Sequence, residues 1–173
     1  MSADAPTQPL IRRAMTSDLP RLGRLGALLV EAHRKLDSQR FLAPNDQTPA
    51  NYASFLKTKL EDPDAAILVA EVRGDVIGYA YAAVQGYDYM SLRGPAGVLQ
   101  DLIVEPQHRG RGVGRLLLNA VLTHLTTRGA PRVVLSAAQG NQSAQRLFAS
   151  MGFRPTIVEM TRELEEATRV RNP

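Results

Sequence analysis

The sequence predicts an α/β (α+β) domain in which helices pack on one mixed sheet. Three observations carry this reading. Apolar stretches of strand length and amphipathic stretches of helix length follow one another in the order βααββ–βαβαβ. Ala66–Val72, Arg73-Gly74-Asp75 and Val76–Val84 make a strong hairpin signal. Val98–Leu118 then reads as a mostly apolar strand, a stop at Pro106, a glycine-spaced turn and an amphipathic helix.

Each element has its own local cause. Residues 1–9 read as a flexible leader, and Leu10–Ala14 as a first strand. Ser17-Asp18 then caps a helix whose Leu19, Leu22, Leu25, Leu29 and Val30 share one buried face. The loop 37–47 is placed to cover a pocket. Thr48-Pro49 starts a second helix, with Pro near its first position and Tyr52, Phe55, Leu56 and Leu60 on one side. After the hairpin, Gly86–Gly97 is a connection rich in polar and aromatic residues. The helix from Val113 to about Thr127 is ended by Gly129-Ala130-Pro131. Arg132–Ala138 is a further strand, Asn141 leads a helix stopped by Gly152, and a final β segment is expected near Ile157–Leu164. Residues 165–173 are a polar tail, which leaves 10–164 as a single domain.

Bulk properties narrow the function. A chain of 173 residues with 44% hydrophobic and 22% charged residues builds one sizeable core. No apolar run approaches the roughly 20 residues of a membrane span, and the N-terminus lacks a basic-then-apolar signal pattern, so the expected address is cytoplasmic. Without cysteine there is no disulfide framework and no thiolate nucleophile, and no metal site is expected. The formal charge of +4 is spread over arginines interleaved with acids, and aromatics are only 5%, which argues against a nucleic-acid platform.

The turn itself is built for an anion. Glycines at 110, 112 and 114 leave no side chains over it, and the following helix adds unpaired N–H groups and its positive dipole end. A dinucleotide fingerprint would need glycine where Arg115 stands and an acid about 20 residues later. A P-loop would need a lysine that is missing here. What the residues do match is Arg-x-x-Gly-x-Gly, in Arg109-Gly110-Arg111-Gly112-Val113-Gly114.

This segment resembles the acyl-CoA pyrophosphate loop of the GNAT N-acetyltransferase superfamily. Asp101–Pro106 upstream resembles the family's fourth strand, and Asn141–Phe148 with Met151-Gly152-Phe153 its second signature. The resemblance implies a mixed, mostly antiparallel sheet of about six to seven strands flanked by about four helices. It implies transfer of an acetyl group from acetyl-CoA, as co-substrate and without metal, to a primary amine of a small molecule or a peptide N-terminus. A non-catalytic acyl-CoA-binding module is the alternative. The implied partners are acetyl-CoA and the amine, with no nucleic acid or membrane, and a homodimer is compatible.

Carried over by position, the Leu102 backbone N–H polarises the thioester carbonyl, and Ile103 and Val104 bond the pantetheine amides. Arg109, Gly110, Arg111, Gly112, Val113, Gly114 and Arg115 hold the pyrophosphate region, and Asn141, Ser143 and Phe148 contact CoA. Phe148 stands where many relatives carry a tyrosine that protonates the leaving thiolate, and it has no proton to give. A lysine-like amine of pKa about 10.4 costs roughly 4.6 kcal/mol to deprotonate at pH 7, so a base is useful. Gln100 occupies the position where some relatives carry that carboxylate. Strand alternation points Asp101 away from Gln100 and Leu102. Asp101 is therefore read either as a base or as a paired structural carboxylate, with Glu31 and His33 as alternative bases. Glu105 and His108 are assigned to the rim of the turn.

Overall fold

The computed structural model describes residues 8–164, so residues 1–7 of the expected leader and the expected tail 165–173 lie outside the described residues. β1 (Leu10–Arg13) leads through a 3₁₀ turn into α1 (Leu19–Leu36), and α2 (Thr48–Leu60) follows. β2 (Ala65–Val72) and β3 (Asp75–Gln85) form the hairpin, and β4 (Ala96–Val104) runs to the glycine turn. α3 (Val113–Thr127), β5 (Val133–Leu135) and α4 (Gln142–Ser150) complete the order. The hairpin closes through Arg73 and Gly74, both at positive φ (53° and 86°), the two-residue turn that suits the right-handed strand twist.

The strands make one sheet in the order β1-β2-β3-β4-β5, antiparallel except for the parallel β4–β5 pair. The sheet thus has five strands among the described residues, fewer than the expected six to seven, beside the four expected helices. The segment near Ile157–Leu164, expected as the last strand, forms no ladder. Its Ile157, Val158, Met160 and Leu164 are all at least 75% exposed. The reason is visible in both partners. Ile157 and Val158 are adjacent, which interrupts the alternation a half-buried strand needs, and β5 offers only three residues to pair with. Glu159 instead pairs with Arg40 in the loop after α1.

Two cores lie on opposite faces of the sheet. On one, Val113, Leu117, Leu118, Val121 and Leu125 of α3 and Phe148 of α4 pack on Leu68, Ala80, Ala82 and Leu99. On the other, Leu19, Leu22 and Leu25 of α1 and Leu56 of α2 pack on Ile67, Val69, Tyr79, Tyr81 and Ile103. Asp18 does not cap α1 as expected. Its carboxylate turns back to the Met15 N–H (2.7 Å) and takes two bonds from the Arg12 guanidinium (2.8 and 3.0 Å), whose Nε also bonds Glu71 (2.7 Å). One arginine thereby ties β1, β2 and the start of α1.

α1 and α2 approach closely because α1 carries glycine at two points of contact. A Cβ on Gly23 would lie 2.2 Å from the Pro49 carbonyl oxygen, and one on Gly26 would lie 2.1 Å from Tyr52 Cδ1. Gly26→Ala is therefore expected to lower unfolding stability by about 1–3 kcal/mol, as overpacking does. A urea midpoint unchanged from the native protein would contradict this contact.

Candidate active site

The site forms where β4 loses one neighbour. β5 pairs only with Gly97, Val98 and Leu99, so the β4 edge beyond Leu99 is open. The Glu105 N–H bonds the Ile77 carbonyl (2.9 Å), which sets the phase of the β3–β4 ladder. Ladder alternation then commits the backbone groups of Ile103 to β3 and turns those of Leu102 and Val104 to the open edge. Leu102 and Val104 therefore present donors there, and Ile103, expected to bond a pantetheine amide, does not. The Val104 carbonyl already accepts a bond from Arg109 Nε (2.8 Å), which pins the arginine against the end of the strand.

The turn after β4 has the conformation its glycines predict. Gly110 and Gly112 sit at φ 73° and 80°, where a side chain is strained, and a Cβ on either would point into open space. Gly112 is also the N-cap of α3 and, with no side chain, leaves the first N–H groups of that helix uncapped. Open glycines below an uncapped helix start fit an anionic phosphate group. Gly114 acts otherwise. It lies inside α3, and its missing Cβ admits Leu147 of α4, whose Cδ2 would be 3.3 Å away. Arg111 projects into solvent beside the turn. Arg115 reaches to α4, donating to Ser150 Oγ (2.8 Å), so it joins the two helices at the edge of the turn.

Asn141 accepts a bond from the Ala144 N–H (3.1 Å) and so caps α4, while Ser143 is exposed on its first turn. Phe148 is 8% exposed and packs edge-on to Phe153, 5.9 Å between ring centres. It fills the core between α3, α4 and the sheet. Phe148→Tyr is accordingly expected to keep turnover within a few-fold, or to raise it where thiolate departure limits the rate. Steady-state rates with matched denaturation curves test this. A large loss of turnover at unchanged stability would show that the ring itself positions CoA.

The opposite side of β4 carries a buried carboxylate. A β-bulge at Gln100 sets Tyr81 opposite Asp101 and Ala82 opposite Leu99, leaving Gln100 unpaired and exposed. Without that extra residue, Leu99 and Asp101 would share a face. With it, Leu99 enters the α3 core and Asp101 turns toward α1 and α2. There the Tyr52 and Tyr79 hydroxyls both donate to Asp101 Oδ2, at 2.8 and 2.9 Å. Oδ1 accepts no hydrogen bond from the described residues. It is not sealed either, since the one fully enclosed, unpartnered side-chain polar atom among the described residues is His124 Nε2. Burial pushes the Asp101 carboxyl above the ordinary aspartate range, against the pull of the two hydroxyls and of His33. Burial and the Asp101 charge raise both tyrosines.

Aromatic rings continue the wall. Phe55 meets Tyr52 and Tyr81 edge-on, at 6.1 and 6.0 Å, and is itself about half exposed. Of the alternative bases, His33 places Nδ1 2.9 Å from the Leu29 carbonyl oxygen and its ring against Phe41. Glu31 pairs with Lys35 (2.6 Å) on the solvated side of α1. Glu105 and His108, expected at the rim of the turn, also face the start of α1. Glu105 pairs with Arg21 (2.8 Å), and both line a polar cleft against the start of α1. The hydrogen bond of Tyr52 to Asp101 has no mark in the sequence, where Tyr52 belongs only to a helix face. The spacing of Gly23 and Gly26 on α1 was the available signal for a close partner helix. Among the described residues, no three His, Asp or Glu side chains gather as a metal site would need. None of the described helices is long and apolar enough to cross a membrane.

A profile of the acetyltransferase (GNAT) family matches residues 29–153. The mycothiol acetyltransferase of Thermobispora bispora is 34% identical over 112 residues, covering 61% of this chain and 36% of that protein. The mycothiol acetyltransferase of a Nocardioides species is 29% identical over 164 residues, covering 83% of this chain and 56% of its own length. The chain thus spans little more than half of those relatives at most. The crystal structure of a tetramutant of the BH1408 protein from Bacillus halodurans superposes with a TM-score of 0.79 at 23% identity. That match covers 90% of this chain and 99% of the other, and shows a shared fold.

Proposed function

The chain belongs to the acetyltransferase (GNAT) family, and from that premise we propose that it moves an acetyl group from acetyl-CoA directly to a primary amine. The observation that carries this reading is the placement of two features on one strand. The open edge at Leu102 and Val104 leads to an uncapped glycine turn, and Asp101 faces the other helical layer beside an aromatic wall. The first arrangement suits an extended thioester ending in phosphates. The second suits a protonated amine, attracted by a carboxylate and by ring faces.

In this reading the Leu102 N–H polarises the thioester carbonyl, an oxyanion-hole device typically contributing about 2.7–4 kcal/mol to the barrier. Asp101 Oδ1 takes a proton from the ammonium, freeing the nitrogen lone pair. The nitrogen attacks the carbonyl carbon, the new C–N bond forms, the C–S bond breaks to release the CoA thiolate, and the second amine proton passes to solvent water as the neutral amide forms. A thiol pKa near 8.5 lets that thiolate leave without a donated proton, which accords with Phe148 at the helix position. Glu31 retains its salt bridge to Lys35 and has no part in this scheme.

The test is acetyl-CoA consumption against a panel of alkyl amines, amino sugars, amino acids and peptide N-termini. Amine-dependent release of CoA with formation of the acetamide supports the reading. Tight acetyl-CoA binding with no turnover on any acceptor would favour a non-catalytic acyl-CoA-binding module.

A further inference from the structure

We propose that Tyr52 is a positioning residue for the proton-accepting carboxylate, fixing which oxygen of Asp101 meets the acceptor. This inference rests on the reading of Asp101 as the base.

The two oxygens of Asp101 are treated unequally. Tyr52 and Tyr79 come from different elements, α2 and β3, yet both hydroxyls converge on Oδ2. An ionised carboxylate has about four lone-pair sites, and geometry alone would allow one donor on each oxygen. Two donors on Oδ2 stop the carboxylate from rotating and leave Oδ1 as the oxygen with open lone pairs. A base held in one rotamer also loses less entropy on reaching the reacting geometry.

The two tyrosines are not equivalent. Tyr79 is fully buried in the sheet, where its ring is part of the α1–α2 core. Tyr52 is half-buried and reaches Asp101 from a helix, 49 residues away in sequence. It can do so because Gly26 leaves its ring a place on α1. A methyl group there would displace the ring and with it the hydroxyl. The glycine, the aromatic ring and the hydroxyl thus form one chain of contact from α1 to β4. The other charged group that acts on the carboxylate is His33 on α1, while Tyr81 on β3 faces it and is raised by burial and, in part, by the Asp101 charge. None of these takes the place of the Tyr52 hydroxyl on Oδ2.

Tyr52→Phe keeps the ring and deletes only the bond. The expected result is that the Asp101 carboxyl, followed by ¹³C NMR titration, moves up by about half a pH unit, roughly threefold in proton affinity. The acidic limb of the kcat/KM profile for an accepted amine should move by the same amount, with the acetyl-CoA Kd within twofold of native. A carboxyl titration identical to that of the native protein would overturn the proposal, as would an acidic limb that stays in place. Because the titration needs no turnover, it separates this proposal from the one it rests on. An Asp101→Asn variant of full activity would remove the base, while the titration would still decide whether Tyr52 holds the carboxylate.

Discussion

Gly112→Val is expected to weaken acetyl-CoA binding at least about tenfold, or about 1.4 kcal/mol, with the fold retained by circular dichroism. Two effects act in the same direction. At φ 80° the backbone is left-handed, a conformation that costs an L-residue about 1–2 kcal/mol and is an outlier for a β-branched one. The chain would relieve that strain by turning the peptide groups that start α3, and those N–H groups are the proposed phosphate donors. The added isopropyl group would also stand in the open space that the glycines keep clear. Calorimetric titration with acetyl-CoA reads both effects, and unchanged affinity would sink the assignment of the turn. Gly114→Ala makes the useful contrast. Its Cβ would meet the flexible end of Leu147 and no ligand-facing space, so it is expected to alter α3–α4 packing more than affinity.

Asp101→Asn is expected to cut turnover by about 10²–10⁴, the usual contribution of a positioned general base, while acetyl-CoA still binds. The shape of the pH profile is as informative as the loss. With the carboxylate present, kcat/KM should level off at neutral pH. Without it, the rate should climb about tenfold per pH unit toward the pKa of the acceptor, because only the free amine then reacts. Native rates with an unchanged profile would return Asp101 to the role of a structural carboxylate. A neutral plateau that survives in Asp101→Asn and vanishes in Glu31→Gln would move the base to α1.

The parts of this molecule that were legible in its sequence are those with local causes. Val113–Thr127 is a helix because its apolar spacing, its glycine start and its Gly129 stop all lie in or beside the segment. The hairpin follows from two strands and a turn that only a few residues can make. The glycine turn was readable for the same reason, since positive φ at Gly110 and Gly112 is a property of the residues themselves. What escaped depends on partners far along the chain. The bulge at Gln100 exists only in the pairing of β4 with β3, and no feature of Leu99-Gln100-Asp101 announces it. The backbone direction of Ile103 follows from that ladder, which is why Ile103 turns to β3 and presents no donor at the open edge. The missing sixth strand is a similar case, because a strand needs an edge to join and β5 is three residues long. Tyr52 was hidden because its partner is 49 residues away.

Asp18 and Asp101 are the two buried acids among the described residues, and proton linkage gives them opposite signs. The Arg12 guanidinium holds the Asp18 carboxyl below the ordinary aspartate range. The folded chain therefore binds that proton less readily than the unfolded chain, and the stabilisation is full above the unfolded pKa and is lost as pH falls through the folded one. Asp101 runs the other way. Burial raises its carboxyl, so above the raised pKa the folded state carries an anion that the unfolded chain would solvate better. That strain fades as pH falls through the raised pKa. The Arg12 cluster thus gives the fold its resistance at neutral pH, and the carboxylate proposed to take the proton is a standing load on that same fold.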